Sequence, residues 1–361
     1  MSLKLGIVGL PNVGKSTIFN TLTESLSAEA SNYPFCTIDP NVGIVKVPDE
    51  RLDKLADLVE PEKVTPAVVE FVDIAGLVAG ASKGEGLGNK FLANIRETDA
   101  VCMVLRFFED PDVKHVHDRI KPQEDLEILH TELILADLET VDKRAASLEK
   151  QAKSNDKKTL KQLEVVRKIK QVLEEEKLVS QAGLDEEERG LIHDLHLLSA
   201  KPFLYVANIS EEQLKALDLK EEAKKLGLSS LIGISAKIES ELAQIPAGER
   251  EEFLSEYNLH DSGLKRLIVE GYKTLGLQTY FTAGPKEVRA WTIKVGSKAP
   301  QAAGVIHTDF EKGFIKAEVC AYQDFVELGS WIKAKEAGKM RMEGKEYVVQ
   351  DGEVMFFHFN N

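Results

Sequence analysis

Cysteine is scarce in this sequence, and the few that are present form no recognisable pattern. The 361 residues include three cysteines, Cys36, Cys102 and Cys320, which lie far apart. An odd number of widely separated cysteines suits neither a disulfide framework nor a zinc site with its closely spaced ligands. We therefore expect reduced thiols that serve mostly for packing.

Long apolar runs are also missing. No stretch approaches the ~18 consecutive apolar residues that would indicate a transmembrane helix. The N-terminus runs from Met1 directly into a strand-like pattern at Leu5, without the basic segment and small-residue cleavage site of a signal peptide. We expect a cytoplasmic protein that does not bind membranes.

An excess of positive charge is absent as well. The 46 Lys and Arg residues are outnumbered by 60 Asp and Glu residues, which gives a formal net charge of -14. The protein as a whole would repel nucleic acid, so any contact with rRNA requires a local basic face. Basic residues of the C-terminal region could form such a face or belong to an ordinary solvated surface: Lys286, Arg289, Lys294, Lys298, Lys312 and Lys316.

The first part of the chain has the pattern of an α/β domain. Residues 1–124 alternate short apolar strands with helical stretches, which predicts a mostly parallel sheet. Strand patterns return at 202–208 and 231–236, so residues 201–277 are predicted to complete the same domain.

Two other segments have different patterns. Residues 125–200 carry apolar residues at helical spacing on both sides of a polar run at 153–158. This pattern predicts an inserted antiparallel coiled-coil hairpin. Residues 278–361 have short strands and turn signals, which predict a small α+β domain with one helix.

A phosphate-binding loop is indicated by the run from Gly9 to Ser16, Gly-Leu-Pro-Asn-Val-Gly-Lys-Ser. In the pattern GxxxxGK[ST], glycines allow backbone N–H groups to surround phosphates. Lys15 would reach the β- and γ-phosphates, and the Ser16 hydroxyl would bind Mg²⁺. A strand pattern precedes the loop and a helix pattern follows it, as this motif requires. The first domain is therefore predicted to bind and hydrolyse a nucleoside triphosphate.

A second signal on the phosphate side is Asp73-Ile74-Ala75-Gly76, which follows an apolar strand pattern. Asp73 would reach the magnesium ion through water, and the N–H of Gly76 would bind the γ-phosphate. Thr37 is the candidate that would bind magnesium when the γ-phosphate is present. Glycines at 80, 84, 86 and 88 would allow the loop after Gly76 to order and disorder with that phosphate.

The base-binding signal departs from that of GTPases. Their motif Asn-Lys-x-Asp reads guanine because its aspartate accepts hydrogen bonds from the ring N–H and the exocyclic amine. Here the matching strand end reads Asn208-Ile209-Ser210-Glu211. The lysine is absent and the acid is one methylene longer, which makes guanine selectivity doubtful, whereas adenine lacks both donors and loses nothing. Ser235-Ala236-Lys237 would lie near the base.

The water-positioning group is also unusual. Ras-like enzymes place a glutamine directly after Asp-x-x-Gly, but Leu77 occupies that position and cannot orient water. His115 and His117 follow the next strand pattern and could swing toward the γ-phosphate, or they could be exposed loop residues without a chemical role. We favour His115, so the candidate catalytic residues are Lys15, Asp73, Gly76 and His115.

Taken together, these motifs resemble the YchF, or Obg-like ATPase, family. The resemblance is carried by the phosphate-binding loop, by Asn-Tyr-Pro-Phe-Cys-Thr at 32–37 and by the run from Phe71 to Leu92. It extends over essentially the whole chain, because 277–282, 286–291 and 307–314 resemble the C-terminal TGS domain of the family. The resemblance implies a P-loop NTPase domain, a helical insertion and a β-grasp-like TGS domain.

The resemblance also assigns residues. It implies that the triphosphate is bound by Asn12, Val13, Gly14, Lys15, Ser16 and Thr17. It implies that magnesium is bound by Ser16 and Thr37. It places on the adenine side Asn208, Ile209, Ser235, Ala236 and Lys237, and Glu211 matches the acid of the motif.

The family's properties imply a preference for ATP over GTP and an association with the ribosome, through its large subunit or the whole particle. We therefore expect a magnesium-dependent ATPase that acts as a slow switch, meets the ribosome through its helical and TGS domains, and regulates translation or a stress response. One alternative is a GTP-hydrolysing ribosome-assembly factor. The other is a ribosome-binding adaptor for which nucleotide is a structural ligand.

Overall fold

A computed structural model describes residues 3–26, 41–74, 76, 87–111, 113, 119–152, 156–257 and 259–360. The strands in these ranges are β1 (Lys4–Val8), β2 (Val42–Lys46), β3 (Lys63–Thr65), β4 (Val68–Asp73), β5 (Ala100–Arg106), β6 (Phe203–Asn208), β7 (Ile232–Ile234), β8 (Leu277–Ala283), β9 (Glu287–Lys294), β10 (Phe314–Cys320), β11 (Arg341–Glu343) and β12 (Val354–Phe359). The α-helices are α1 (Lys15–Leu26), α2 (Glu50–Val59), α3 (Leu87–Arg96), α4 (Pro122–Gln151), α5 (Lys157–Glu174), α6 (Glu186–Ile192), α7 (Glu211–Ala216), α8 (Leu219–Lys225), α9 (Ala236–Gln244), α10 (Arg250–Glu256), α11 (Gly263–Thr274), α12 (Ala299–Ile306), α13 (Thr308–Lys312), α14 (Tyr322–Leu328) and α15 (Trp331–Glu336).

The first sheet has the strand order β2-β4-β1-β5-β6-β7. Neighbouring strands are parallel except at the edge, where β2 runs antiparallel to β4. Every residue of β5 is buried, as expected for a central strand of a sheet covered on both faces. The mostly parallel sheet predicted from the sequence is confirmed. Because parallel strands end at one edge, the loops after β1, β4, β5, β6 and β7 meet there.

The helical insertion has a hydrophobic core of its own. Buried residues of α4 and α5, such as Val141, Leu148 and Val166, form a cluster separate from the core of the first sheet. Ion pairs join Lys170 to Asp142 at 2.6 Å and Arg167 to Glu149 at 2.8 Å. From the first pair to the second, the residue number rises along α4 and falls along α5, so the two helices are antiparallel.

The second sheet has the order β11-β10-β12-β8-β9-β3 and contains a strand from the first part of the chain. β3 pairs in parallel with β9, with Val64 opposite Val288. The sequence pattern predicts one helix here, whereas residues 278–360 form four short ones, α12 to α15. The apolar pair Val348 and Val349 forms no full strand, because Val348 makes only an isolated bridge to Lys298.

The two sheets share one hydrophobic core. Leu52 and Leu55 of α2 belong to the same buried cluster as Phe281 and Phe325 of the C-terminal region. At the margin of this core, Arg51 forms ion pairs with Asp49 at 2.8 Å and Asp351 at 2.7 Å. The P-loop α/β fold with a helical insertion and a C-terminal α+β unit is thus confirmed, while the boundaries at 124, 200 and 277 stay predictions. Among the described helices, none is both long and apolar enough to cross a membrane.

Candidate nucleotide-binding site

A cavity of about 750 Å³ lies at the carboxyl edge of the first sheet. The loops after β1, β4, β5, β6 and β7 all contribute to its walls. Its lining includes nearly all of the residues that the sequence predicts for nucleotide binding: Asn12, Gly14, Lys15, Ser16, Thr17, Gly76, Asn208, Ile209, Glu211, Ser235, Ala236 and Lys237. The side chain of Val13, which belongs to the same loop, is buried, with 1% of its surface exposed.

The phosphate-binding loop has a backbone shape that depends on its small residues. Asn12 and Gly14 both have positive φ, 61° and 87°. A Cβ atom on Gly14 would lie 2.0 Å from Nδ2 of Asn208, which leaves no room for a side chain. At Gly9, a Cβ atom would lie 2.8 Å from the carbonyl oxygen of Val104. This tight backbone leads directly into α1. The first N–H groups of the helix have no partners within it and are available to an anion.

Three polar side chains converge at the start of α1. Nζ of Lys15 lies 2.8 Å from Oδ1 of Asp73, and Oγ of Ser16 donates to Oδ2 of the same carboxylate over 3.1 Å. The lysine side chain is only 9% exposed and the aspartate side chain 18% exposed. Removed from bulk solvent in this way, charges of opposite sign interact more strongly than they do at the surface.

This group of atoms fits a magnesium ion. A hydroxyl and a carboxylate oxygen are the hard ligands that Mg²⁺ prefers, and such sites take their remaining ligands from phosphate and water. Ser16 and Asp73 are the described residues that would hold the ion. Among the residues that the structure describes, no cluster of three or more His, Cys, Asp or Glu side chains forms a metal site. A P-loop magnesium site has no need of such a cluster, because the nucleotide supplies several of the ligands.

Gly76 lies directly against the phosphate-binding loop. A Cβ atom at this position would be 3.3 Å from the backbone nitrogen of Pro11, which is tighter than most Cβ contacts. The backbone of Gly76 also lines the cavity. Thr37, Leu77, His115 and His117 lie outside the described residues, so their predicted roles stay predictions.

Asn208 connects the phosphate-binding loop to the start of α9, beside which the base is predicted to bind. Its Nδ2 donates to the carbonyl oxygen of Val13 over 2.9 Å, and its Oδ1 accepts from the N–H of Ala236 over 3.1 Å. The side chain is buried, so both hydrogen bonds are protected from water. In this structure the amide holds the phosphate-binding loop against the start of α9, where the hydroxyl of Ser235 caps the helix by accepting from the N–H of Ile238.

Glu211 lines the end of the cavity at which the sequence predicts the base to bind, and it occupies the first position of α7. Its Oε1 accepts a hydrogen bond from the hydroxyl of Tyr257 over 3.2 Å. The ammonium group of Lys215 lies 4.9 Å from the centre of the Tyr257 ring. Tyr257 is 46 positions from Glu211 and belongs to no motif, so no local pattern in the sequence predicts this contact.

The wall of the cavity formed by the segment after β5 is likewise not predicted by the sequence motifs. Phe108, Glu109, Asp110 and Val113, in the segment after β5, line it. The buried side chain that contacts this segment is Arg106, the last residue of β5. The available signal was a single arginine at the end of an otherwise apolar strand, Ala-Val-Cys-Met-Val-Leu-Arg.

The fold and this cavity together define a P-loop nucleoside triphosphatase. Residues 4–137 match a family described as "50S ribosome-binding GTPase", and residues 277–360 match YchF-GTPase_C, described as "Protein of unknown function (DUF933)". The chain is 53% identical to the Ribosome-binding ATPase YchF of Bacillus subtilis (strain 168), and the match covers 100% of both chains. It is 54% identical to the protein of that name from Haemophilus influenzae, again over 100% of both chains.

A solved structure gives the same result. The YchF GTPase of Schizosaccharomyces pombe is 39% identical and superposes with a TM-score of 0.88, covering 99% of this chain and 98% of that one. The chain therefore belongs to the YchF family, as its motifs predict.

Proposed function

We propose that this protein is a magnesium-dependent ATPase that works as a slow, ribosome-associated switch. The observation that carries the proposal is the convergence of Lys15, Ser16 and Asp73 at the start of α1, where Lys15 and Ser16 line a cavity that is large enough for a nucleotide. The N–H groups at residues 12–17 and the ammonium group of Lys15 would stabilise negative charge on the transferring phosphoryl group. Ser16 and Thr37 would hold a magnesium ion directly and Asp73 would hold it through water, and the bound ion would supply further positive charge beside the phosphates.

The catalytic roles of Gly76 and His115 belong to the same proposal. The N–H of Gly76 would bind the γ-phosphate, which agrees with its close approach to Pro11. His115 would orient the attacking water, since Leu77 cannot. Because no glutamine follows the Asp-x-x-Gly sequence, we expect slow turnover of the isolated protein.

ATP is the proposed substrate because the base end lacks the fork that reads guanine. Glu211 is longer than the aspartate of GTPases, and the hydroxyl of Tyr257 donates to its carboxylate. Ile209, Ser235, Ala236 and Lys237 would surround the base without demanding a donor pair. The names of the Bacillus and Haemophilus relatives, Ribosome-binding ATPase, agree with this assignment.

GTP hydrolysis is the second candidate, since the Schizosaccharomyces protein is described as a GTPase. Calorimetric titration with ATP and GTP, in the presence and absence of Mg²⁺, separates the two. We expect tighter binding of ATP, loss of binding without Mg²⁺, and loss of binding in Lys15→Ala. Tighter binding of GTP would reject the proposed substrate, and normal turnover by Lys15→Ala would reject the proposed site.

The ribosome is the proposed partner, met through the helical insertion and the C-terminal unit, with rRNA as a possible part of the contact. This would make the protein a cytoplasmic regulator of translation or of a stress response. Cosedimentation with large subunits and with whole ribosomes, in ATP and in ADP, tests the proposal. We expect the bound fraction to change with the nucleotide, and an equal fraction in both would contradict a switch. If turnover stays negligible even with ribosomes, the protein is an adaptor for which nucleotide is a structural ligand.

A further inference from the structure

Arg106 is a charged residue in a position where charge is costly. It is the last residue of the central strand β5, and only 2% of its surface is exposed. A buried cation destabilises a protein unless hydrogen bonds replace the water that it has lost. The partners of Arg106 therefore indicate why the residue is there.

Those partners are three backbone carbonyl groups on two sides of the cavity. Nη1 donates to the carbonyl oxygen of Asn12 over 3.2 Å, which places the guanidinium group directly behind the phosphate-binding loop. Nε donates to the carbonyl oxygen of Phe108 over 3.1 Å, and Nη2 donates to that of Asp110 over 3.4 Å. The planar fork of an arginine can reach all three, whereas a lysine presents a single charged nitrogen.

The guanidinium group also supports a side chain that lines the cavity. Its Cζ lies 4.3 Å from the centre of the Phe108 ring, which is the distance of a cation–π contact. Phe108 belongs to the wall formed by the segment after β5. One buried residue thus fixes the phosphate-binding loop and this wall relative to each other.

The contact with Asn12 bears directly on phosphate binding. Asn12 has a positive φ of 61°, which a residue other than glycine adopts only at an energetic cost. The carbonyl group that accepts from Arg106 belongs to the same peptide unit as the N–H of Val13. A charged donor on that carbonyl polarises the peptide unit and makes its N–H a stronger donor toward an anion.

We propose that Arg106 is a positioning residue for the nucleotide, which holds the phosphate-binding loop in its binding shape and fixes Phe108 as one wall of the cavity. Its side chain does not line the cavity, so it acts on nucleotide affinity and only weakly on the chemical step. This inference rests on the proposed nucleotide-binding function.

Arg106→Lys tests the proposal, because it keeps the charge and removes the fork. We expect KM and Kd for ATP to rise about tenfold, the order expected for one lost hydrogen bond to a charged group, with kcat changed by less than about twofold. Arg250→Lys is the matched control. Arg250 is only partly buried, but like Arg106 it is bonded to backbone carbonyls, those of Ile245 at 2.9 Å and Ala243 at 3.4 Å, and it does not line the nucleotide cavity.

A purely structural role gives a different result. If Arg106→Lys and Arg250→Lys both lower the melting temperature and neither changes KM or Kd, the proposal is overturned. Phe108→Leu provides a second route if Arg106→Lys does not fold, because it keeps the buried arginine and removes the ring. We expect a rise of about threefold in Kd from the lost ring contact, and an unchanged Kd would reject the role of the wall.

The measurement uses whichever nucleotide the wild-type protein binds. A wild type that prefers GTP would contradict the proposed substrate and leave the prediction for Arg106 in force, to be tested with GTP. A wild type that binds neither nucleotide would overturn both proposals.

Discussion

The two ends of the first sheet use polar groups in opposite ways. At the carboxyl end, the buried Lys15 and the exposed Ser16 and Glu211 line a cavity of about 750 Å³ and face the space that a ligand would occupy. At the amino end, where the helical insertion joins the sheet, buried polar groups are bonded within the protein. There the carboxylate of Asp137 accepts from the N–H groups of Leu198 and Ser199, each over 2.8 Å. A buried ionisable group therefore indicates a binding site only when its partners within the protein leave space for a ligand beside it.

We expect opposite effects of substitutions at the two ends of the sheet. Changes at the carboxyl end should alter nucleotide affinity more than stability, and changes at the amino end should do the reverse. The prediction is strongest for glycines, because the chain offers a matched pair with similar backbone angles.

Gly14→Ala should have the largest effect. Its φ is 87°, and the added Cβ would lie 2.0 Å from the Asn208 amide, so either the phosphate-binding loop or the amide that holds it must move. We expect ATP affinity to fall at least about 100-fold, as for other displacements of a binding constellation. Gly227→Ala is the control, because Gly227 has a φ of 68° and no atom within 4 Å of the added Cβ. It should cost about 1 kcal/mol of stability and leave affinity intact, and equal loss of affinity in both variants would remove the distinction between the ends.

Asp137→Ala should be the largest change at the amino end. It leaves the N–H groups of Leu198 and Ser199 and the Ser199 hydroxyl without their buried acceptor. We expect the free energy of unfolding in urea to fall by about 2 kcal/mol, with ATP affinity unchanged. Burial raises the pKa of this carboxyl group, against the effect of those hydrogen bonds. Asp137→Asn, which keeps one acceptor oxygen and carries no charge, should therefore cost less, and a loss as large as that of alanine would contradict this explanation.

Asn208→Ala should affect both quantities, because its amide joins the phosphate-binding loop to α9. Two hydrogen bonds are lost, one to Val13 and one from Ala236. We expect ATP affinity to fall about tenfold and the free energy of unfolding to fall by about 1 kcal/mol. Calorimetry and urea unfolding of the same preparation give the two values. An effect on stability alone would show that this amide is not part of the nucleotide site.

The smallest effect is a dependence of stability on pH at the amino end. Burial lowers the pKa of His130 to about 4, whereas the unfolded chain has a value near 6.5. The folded protein keeps the ring neutral, while the unfolded chain takes up a proton below about pH 6.5. The stabilisation is therefore complete above that pH and is lost as the pH falls toward 4. Between about pH 7 and pH 5.5, the wild type should lose about 1 kcal/mol more than His130→Gln in urea unfolding, and equal losses would contradict the burial of a neutral ring.

The sequence predicts the convergence of residues at the start of α1, and there is a physical reason. The predicted roles of Gly14, Lys15 and Ser16 depend on backbone shape and on the start of a helix, and both are encoded in eight consecutive residues. Asp73 follows from its place at the end of a strand. The structure brings it within 2.8 Å of Lys15, although 58 positions separate the two in the chain.

Other residues escape prediction because their meaning depends on distant partners. Arg106 contacts Asn12, 94 positions away, and no local pattern connects them. Asp137 is a charged residue of a long helix, and the sequence alone would place it in solvent. It is buried because Ser199, 62 positions away, binds its carboxylate. The strand β3 has three residues, too few for a recognisable alternation, and its partner β9 begins at Glu287.

That short strand has a consequence for how this protein could be divided or recombined. The family match to the C-terminal region begins at residue 277, but the sheet of that region is completed by residues 63–65. A fragment that starts at 277 would expose the unpaired edge of β9 and the apolar side chains that α2 covers, Phe281 among them. Such edges invite aggregation. The segment that matches the family model, 277–360, is therefore not a complete structural unit. A fusion or truncation designed on that boundary would also have to include residues 47–65.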